Sequence, residues 1–266
     1  GLSTGEYLAL ASINRSIQAM SKASVWEWFS KTTLIRHMHE ADKGALSSQR
    51  FWDHMDRVTP RKAEEIWKCI VSETIKREAI DLSSISYDGT NFYTFIDTFN
   101  TRCAIAKRGK NKQGRSNLRQ VSYALFCTAD SHIPLYYDIY EGNRNDSRQF
   151  PEMLTRFYGF WKEIAQAEMK VPDTTLIFDK GNNSRDNIEL IDSCSLKFVG
   201  SVKLDEHKEE AAISKHDSRF VECGSPELSG VKALRLEKEV YGKVRSMIVT
   251  YNPHLFEAQY LTVQND

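Results

Sequence analysis

From Gly5 to about Ala79, apolar residues recur at three- and four-residue spacing with almost no Gly or Pro, as at Val25, Trp28 and Phe29 and again at Ile66, Cys69, Ile70 and Ile75. That period is helical. Ser47-Ser48-Gln49 before Phe51-Trp52 reads as one helix start, and Thr59-Pro60-Arg61 as another, with Thr59 as cap and Pro60 in the first turn. Trp26, Trp28 and Trp52 are expected to pack in the core of this region rather than stack on bases.

After residue 82 the pattern shortens to runs of β-branched and aromatic residues. The first is Ile85-Ser86-Tyr87-Asp88-Gly89-Thr90-Asn91-Phe92-Tyr93-Thr94-Phe95, which has one acid inside it. Asp is a poor strand former. Either the strand stops at Tyr87 and turns through Asp88-Gly89, or the acid is held on a strand for its chemistry. Val121 to Thr128 and Ile133 to Tyr140 then read as an antiparallel hairpin turning at Ala129-Asp130-Ser131-His132. Asp146 or Ser147 would cap the next helix, which presents Met153, Leu154, Phe157, Tyr158, Trp161 and Ile164 on one broad face. Thr174 to Phe178 repeats the earlier arrangement, an apolar run followed by Asp179 and Gly181, and leads into a helix capped by Asn183 or Ser184 and a short strand through Phe198. Strand, hairpin, helix, strand, helix, strand is the order of an α/β mixed sheet with helices on its faces. From Lys203 the chain is charged and aperiodic. It then alternates as two exposed strands meeting near Gly242, and Leu255 to Gln264 begins another helix.

If the two Asp-bearing strands are neighbours, Asp88 and Asp179 share one cleft at the carboxyl ends of strands, where α/β sheets collect functional groups. Two carboxylates so close repel unless a cation lies between them, and their oxygens suit Mg²⁺ or Mn²⁺.

Composition narrows the setting. With 266 residues, 41% of them hydrophobic, the chain can bury a core as one large domain or two small ones, and its 36 basic and 36 acidic residues cancel. Five scattered cysteines with no Cys-x-x-Cys pair exclude a zinc knuckle and a disulfide framework and point to a reduced, cytoplasmic compartment. No run is apolar enough to span a bilayer. Net neutrality conceals one segregated stretch: no acid stands between Asp97 and Asp130, where Arg102, Lys107, Arg108, Lys110, Lys112, Arg115 and Arg119 are interleaved with Gly109 and Gly114. One-signed clustering beside a carboxylate cleft favours phosphate contact over a solvated face, which normally mixes both signs.

The order of elements, with Tyr87-Asp88-Gly89-Thr90, Gly114-Arg115-Ser116 ahead of Leu118-Arg119-Gln120-Val121, Pro134-Leu135, Gly142-Asn143-x-x-Asp146, and Asp179-x-Gly181 with Asn187, resembles the insertion-sequence DDE transposases of group four. The resemblance spans most of residues 85 to 202. It implies a ribonuclease H-like catalytic core over 83–202, preceded by a helical N-terminal region over 1–82 and followed over 203–266 by a β-rich insertion and the start of a further helix. It also implies that Asp88 and Asp179, 91 residues apart, are the first two catalytic carboxylates and hold two Mg²⁺ or Mn²⁺ ions. Lys107, Arg108, Lys110, Lys112, Arg115 and Arg119 would then lie along the DNA backbone. The family's third carboxylate is a Glu on a helix after the insertion. Glu237 and Glu239 fall in an insertion strand and Glu257 too early, so the expectation is that it lies beyond Asp266 in a longer parent chain. Metal-dependent strand cleavage and transfer, transposon ends and target DNA as partners, a homodimeric active complex, no membrane, and a prokaryotic, nucleoid-associated setting follow from the same resemblance. The same acids would serve a ribonuclease H-like nuclease or resolvase, or survive in a remnant that binds DNA without cutting it. An actin-like or sugar-kinase ATPase also opens with Asp-Gly-Thr after a strand, but the tip after Phe95 lacks the glycine such phosphate hairpins need.

Overall fold

The computed structural model describes residues 1–109, 114–115, 117–144, 146–167 and 173–265. The chain divides into two compact units, Gly1–Glu78 and Ala79–Asp266.

The first unit is helical. Helices α1 (Thr4–Ile17), α2 (Val25–Phe29), α3 (Ser48–Met55) and α4 (Pro60–Glu78) follow one another, with short 3-10 turns between. Ser3 caps α1 by accepting from the Glu6 N–H, while the Glu6 carboxylate accepts from the Ser3 N–H, so two otherwise orphaned donors are satisfied. Tyr7, Leu10, Phe29, Leu46 and Phe51 form the centre of its core, with Tyr7 and Phe51 edge to face at 5.1 Å. Trp28 is buried in that core and Trp26 packs on its margin, as the helical spacing implies. Trp52 is not: it is 52% exposed, and the Lys22 ammonium rests over its ring at 4.4 Å. Phe51 occupies the inward direction of α3, and its sequence neighbour is turned about 100° away by the helical period. Thr59 caps α4 as expected by accepting from the Lys62 N–H, but of the apolar stripe read on that helix, Ile66 and Ile70 lie exposed while Ile75 is buried.

The second unit is built on a mixed sheet. Strands β1 (Ser84–Thr94), β2 (Lys107–Arg108), β3 (Arg119–Thr128) and β4 (Pro134–Glu141) precede α5 (Asp146–Ala167), β5 (Thr175–Phe178), α6 (Arg185–Ser193) and β6 (Lys197–Val199). The sheet runs β4-β3-β1-β5-β6. The first three strands are antiparallel neighbours, β5 and β6 are parallel to β1, and β2 continues the β4 edge of β3. This is the ribonuclease H-like order. Strand β1 does not stop at Tyr87: it passes through Asp88 and Gly89 to Thr94, paired residue for residue with β3. The turn read as an alternative at Asp88-Gly89 is absent because β3 supplies partners along the whole run.

Helix α5 covers one face. Phe157 stacks on Phe126 at 4.1 Å, and Phe150 reaches both Tyr87 at 5.0 Å and Phe178 at 5.4 Å. The helix begins at Asp146, earlier than its apolar face suggests.

After β6 come α7 (Lys208–Ala211), β7 (Val221–Glu222), β8 (Lys232–Val240), β9 (Lys243–Tyr251) and α8 (Pro253–Asn265). Strands β8 and β9 form a hairpin closed by Tyr241 and Gly242, both at positive φ, the tight two-residue turn that follows the twist of the strands. No helix among the described residues is long and apolar enough to cross a membrane.

The hairpin is fastened to the core at Asp192 near the end of α6. Arg245 donates to both carboxylate oxygens, at 3.2 and 2.7 Å, and Lys243 approaches at 2.9 Å. Asp192 and Arg245 are less than one-fifth exposed. The Arg245 hydrogen bonds, and then Lys243, hold the Asp192 carboxyl below its ordinary value of 3.8. A depressed folded-state value means a stabilisation that is present above that ordinary value and is lost as pH falls through the lower one. Asp192→Asn is therefore expected to destabilise the hairpin by roughly 1.5–3 kcal/mol at neutral pH. Hydrogen exchange of the β8 and β9 amides should show this, and the difference from wild type should shrink as the pH is lowered below 3.8.

Candidate carboxylate site and basic loop

In the parallel ladder of β1 and β5 the last paired positions are Tyr87 and Phe178. One residue further on each strand stand Asp88 and Asp179. Neighbouring strands lie about 4.8 Å apart, so these two backbones are adjacent. Side chains alternate across a sheet. Tyr87 and Phe178 are buried beneath Phe150, and the residues after them emerge on the other face, where both aspartates are exposed. The sheet thus brings together the two acids picked out from the sequence. Asp88 accepts the Gly89 N–H at 2.8 Å. Cys127, opposite Ser86, shares this face, and burial, reinforced by the Asp88 charge, pushes its thiol above the ordinary value.

The turn carrying Asp179 is fixed by amides that the sequence reading largely missed. Asn182 donates its N–H to the Asp179 carbonyl at 3.1 Å, and the buried Asn187 side chain donates to the Asn182 carbonyl at 2.7 Å. Ser184 caps α6 by accepting the Asn187 N–H. Asn183, the other candidate cap, instead donates to the Ser201 carbonyl. A cluster of Asn just before a helix was the available signal, because buried amides must find partners. A side chain at Gly181 would meet nothing within 4 Å, so local packing does not require glycine there. Packing does require glycine at Gly142, where a Cβ would fall 2.0 Å from the Gln120 carbonyl oxygen.

The basic residues are not equivalent. Arg119 turns its guanidinium inward and donates to four carbonyls, those of Ala106 at 2.6 Å, Asp97 at 2.9 Å, Asn100 at 2.8 Å and Cys103 at 2.7 Å. It holds the loop between β1 and β2 in place, and little of its donor fork is left for a phosphate. Lys107 and Arg108 form the exposed β2, with Arg108 donating to the Thr98 hydroxyl at 3.1 Å. Arg115 is exposed and lies over the Tyr93 ring at 4.7 Å. Lys110 and Lys112 lie outside the described residues. A cavity of about 540 Å³ at the β4–α5 corner is lined by Lys107, Arg144, Arg148, Glu141 and Glu152 among others. Asp88 and Asp179 do not line it, and of its charged residues Arg144 pairs with Glu141 and Glu152.

No protein-family model and no curated protein sequence matches the chain. Among solved structures, it is similar to a Mos1 transposase paired-end complex with the left transposon end, at 10% identity over 74% of this chain and 59% of that one, with a TM-score of 0.30. The catalytic domain of Mos1 mariner transposase matches at 8% identity over 57% of this chain and 70% of that one, with a TM-score of 0.32. The piggyBac transposase synaptic complex with hairpin DNA matches at 12% identity over 93% of this chain and 50% of that one, with a TM-score of 0.40. The chain thus spans 59% of the chain in the Mos1 paired-end complex and 50% of the piggyBac chain, and likeness at this level carries no function over to it.

Arg119→Lys keeps the charge but removes the fork. The loop over 95–106 is expected to lose roughly 1.5–3 kcal/mol of local stability, with amide exchange about tenfold to a hundredfold faster. Unchanged exchange in the loop would show that the four carbonyl contacts of Arg119 do not hold it.

Proposed function

We propose that Ala79–Asp266 is the phosphodiester-cleaving core of a DDE-type, insertion-sequence transposase, with Asp88 and Asp179 as catalytic carboxylates. One observation carries this reading: two acids far apart in sequence stand at adjacent register positions on the exposed face of a ribonuclease H-like sheet.

The donor set fits a hard divalent ion. No group of three His, Cys, Asp or Glu residues suited to a metal occurs among the described residues, and two carboxylates suit an ion that retains several waters, as Mg²⁺ does. Asp88 and Asp179 would hold Mg²⁺ or Mn²⁺, two ions in this reading; when bound, these supply positive charge at the scissile phosphate and a more acidic water. The protein's own part is placement. The β1–β5 pairing fixes the backbone that leads into both carboxylates, and the hydrogen bonds of the Asp179 turn hold its chain in place. Lys107, Arg108 and Arg115 neutralise flanking phosphates without reading sequence. Transposon ends and target DNA are the substrates in this reading, a homodimer is the active assembly, and the setting is the cytoplasm of a prokaryotic cell.

Asp88→Asn and Asp179→Asn are each expected to lower Mn²⁺-dependent cleavage of end-bearing DNA by roughly a hundredfold or more, with DNA affinity almost unchanged. Either variant cutting at the wild-type rate would overturn the assignment, and cleavage without strand joining would place the chain with nucleases or resolvases. Replacing Lys107, Arg108 and Arg115 together by Ala is expected to reduce the slope of log affinity against log salt by about 2 to 3, roughly 0.7–0.9 for each lost contact. An unchanged slope would return this stretch to ordinary solvated surface.

A further inference from the structure

The loop between β1 and β2 displays two aromatic rings that the fold does not use. Phe99 is 89% exposed and Phe95 81%, the two most exposed large apolar side chains among the described residues. Leaving such a ring in water forgoes the favourable burial of its apolar surface. The backbone beneath Phe99 is nevertheless held. Arg119 binds the Asp97 and Asn100 carbonyls on either side of it, and the Asp97 carboxylate accepts the Phe99 N–H at 2.7 Å. Phe95 meets Tyr93 edge to face at 5.8 Å, with the Arg115 guanidinium over Tyr93. Arg108 is tied to Thr98, next to Phe99. Rings presented on a fixed backbone have already lost the freedom that binding would otherwise remove.

The surroundings select the partner. Arg102, Lys107, Arg108 and Arg115 stand in the same stretch as the rings, with Arg108 on Thr98 and Arg115 over Tyr93, and no acid follows Asp97 until Asp130. A surface that offers cations and open π faces together matches a strand with phosphates on one side and unpaired bases on the other. Paired bases keep their faces inside the stack, so duplex DNA cannot use these rings. We infer that Phe99 and Phe95 form a stacking platform for unpaired bases of single-stranded DNA, a deepening of the function proposed above that rests on DNA being the substrate. At about 3.3 Å per strand residue, Phe95, one residue past the end of β1, lies about 23 Å along the chain from Asp88. The platform holds strand remote from the carboxylates.

Binding of the chain to a short labelled oligothymidine and to a duplex of the same length, by fluorescence anisotropy, tests this. Phe99→Ala and Phe95→Ala are each expected to weaken single-strand binding roughly five- to 150-fold, with duplex affinity and the salt slope unchanged. Phe99→Trp should restore binding, and its indole emission should be quenched when the oligonucleotide is added. Both rings are exposed, so the melting temperature should not move. The inference is overturned if the double Ala variant binds the single strand as wild type does, or if the substitutions change self-association in sedimentation velocity and not DNA binding. Asp88→Asn assayed alongside separates the two readings. Metal-dependent cleavage without dependence on Phe99 removes only the platform, whereas Phe99-dependent binding by a wild-type chain that never cleaves removes only the proposed chemistry.

Discussion

The arrangement of this molecule turns on Phe150, which is fully buried and touches both Tyr87 and Phe178. Those aromatics precede the two aspartates on neighbouring strands. Burying each is worth roughly 1.5–3 kcal/mol, and because strand side chains alternate, their burial drives Asp88 and Asp179 together onto the opposite face. A slip of one residue between β1 and β5 would put one Asp under α5 and expose an aromatic, so core packing and carboxylate placement select the same register. The acids need no direct attraction to meet, and at close range they would repel.

Two kinds of polar anchoring refine this frame. Around Asp179 the anchors are neutral, the backbone of Asn182 and the side chains of Asn183, Ser184 and Asn187, bonded to nearby backbone or to the strand-end segment at Ser201. Around the β1–β2 loop the anchor is a cation, Arg119, serving four carbonyls at once. Neutral groups suit the first position, where a fixed cation would compete with the ions that Asp88 and Asp179 are proposed to hold. A planar fork suits the second, where acceptors converge from several directions.

Much of this could be read from the chain itself. Apolar runs ending in Asp88 and Asp179, separated by a hairpin and an amphipathic helix, specify the strand order and the pairing of the acids, because burial of one strand face is written in the alternation of residues. What could not be read depends on contacts between distant segments. Arg119 sits among six other basic residues that look alike on paper, and only the return of the loop over 97–106 distinguishes it. Trp52 looked like core because its neighbours are, although a small helical unit has room for only part of its aromatic surface. The choice between Asn183 and Ser184 as cap was settled by Ser201, seventeen residues beyond Ser184 and out of reach of any local rule.

Helix α6 is short, and both of its ends are tied. Its first turn anchors the Asp179 loop through Ser184 and Asn187, and near its last residue Asp192 is gripped by Lys243 and Arg245 from the β8–β9 hairpin. At 1.5 Å per residue, its nine residues make a rod about 14 Å long. The outlying ribbon and the turn that carries one of the two acids are therefore fastened to the same short, stiff helix.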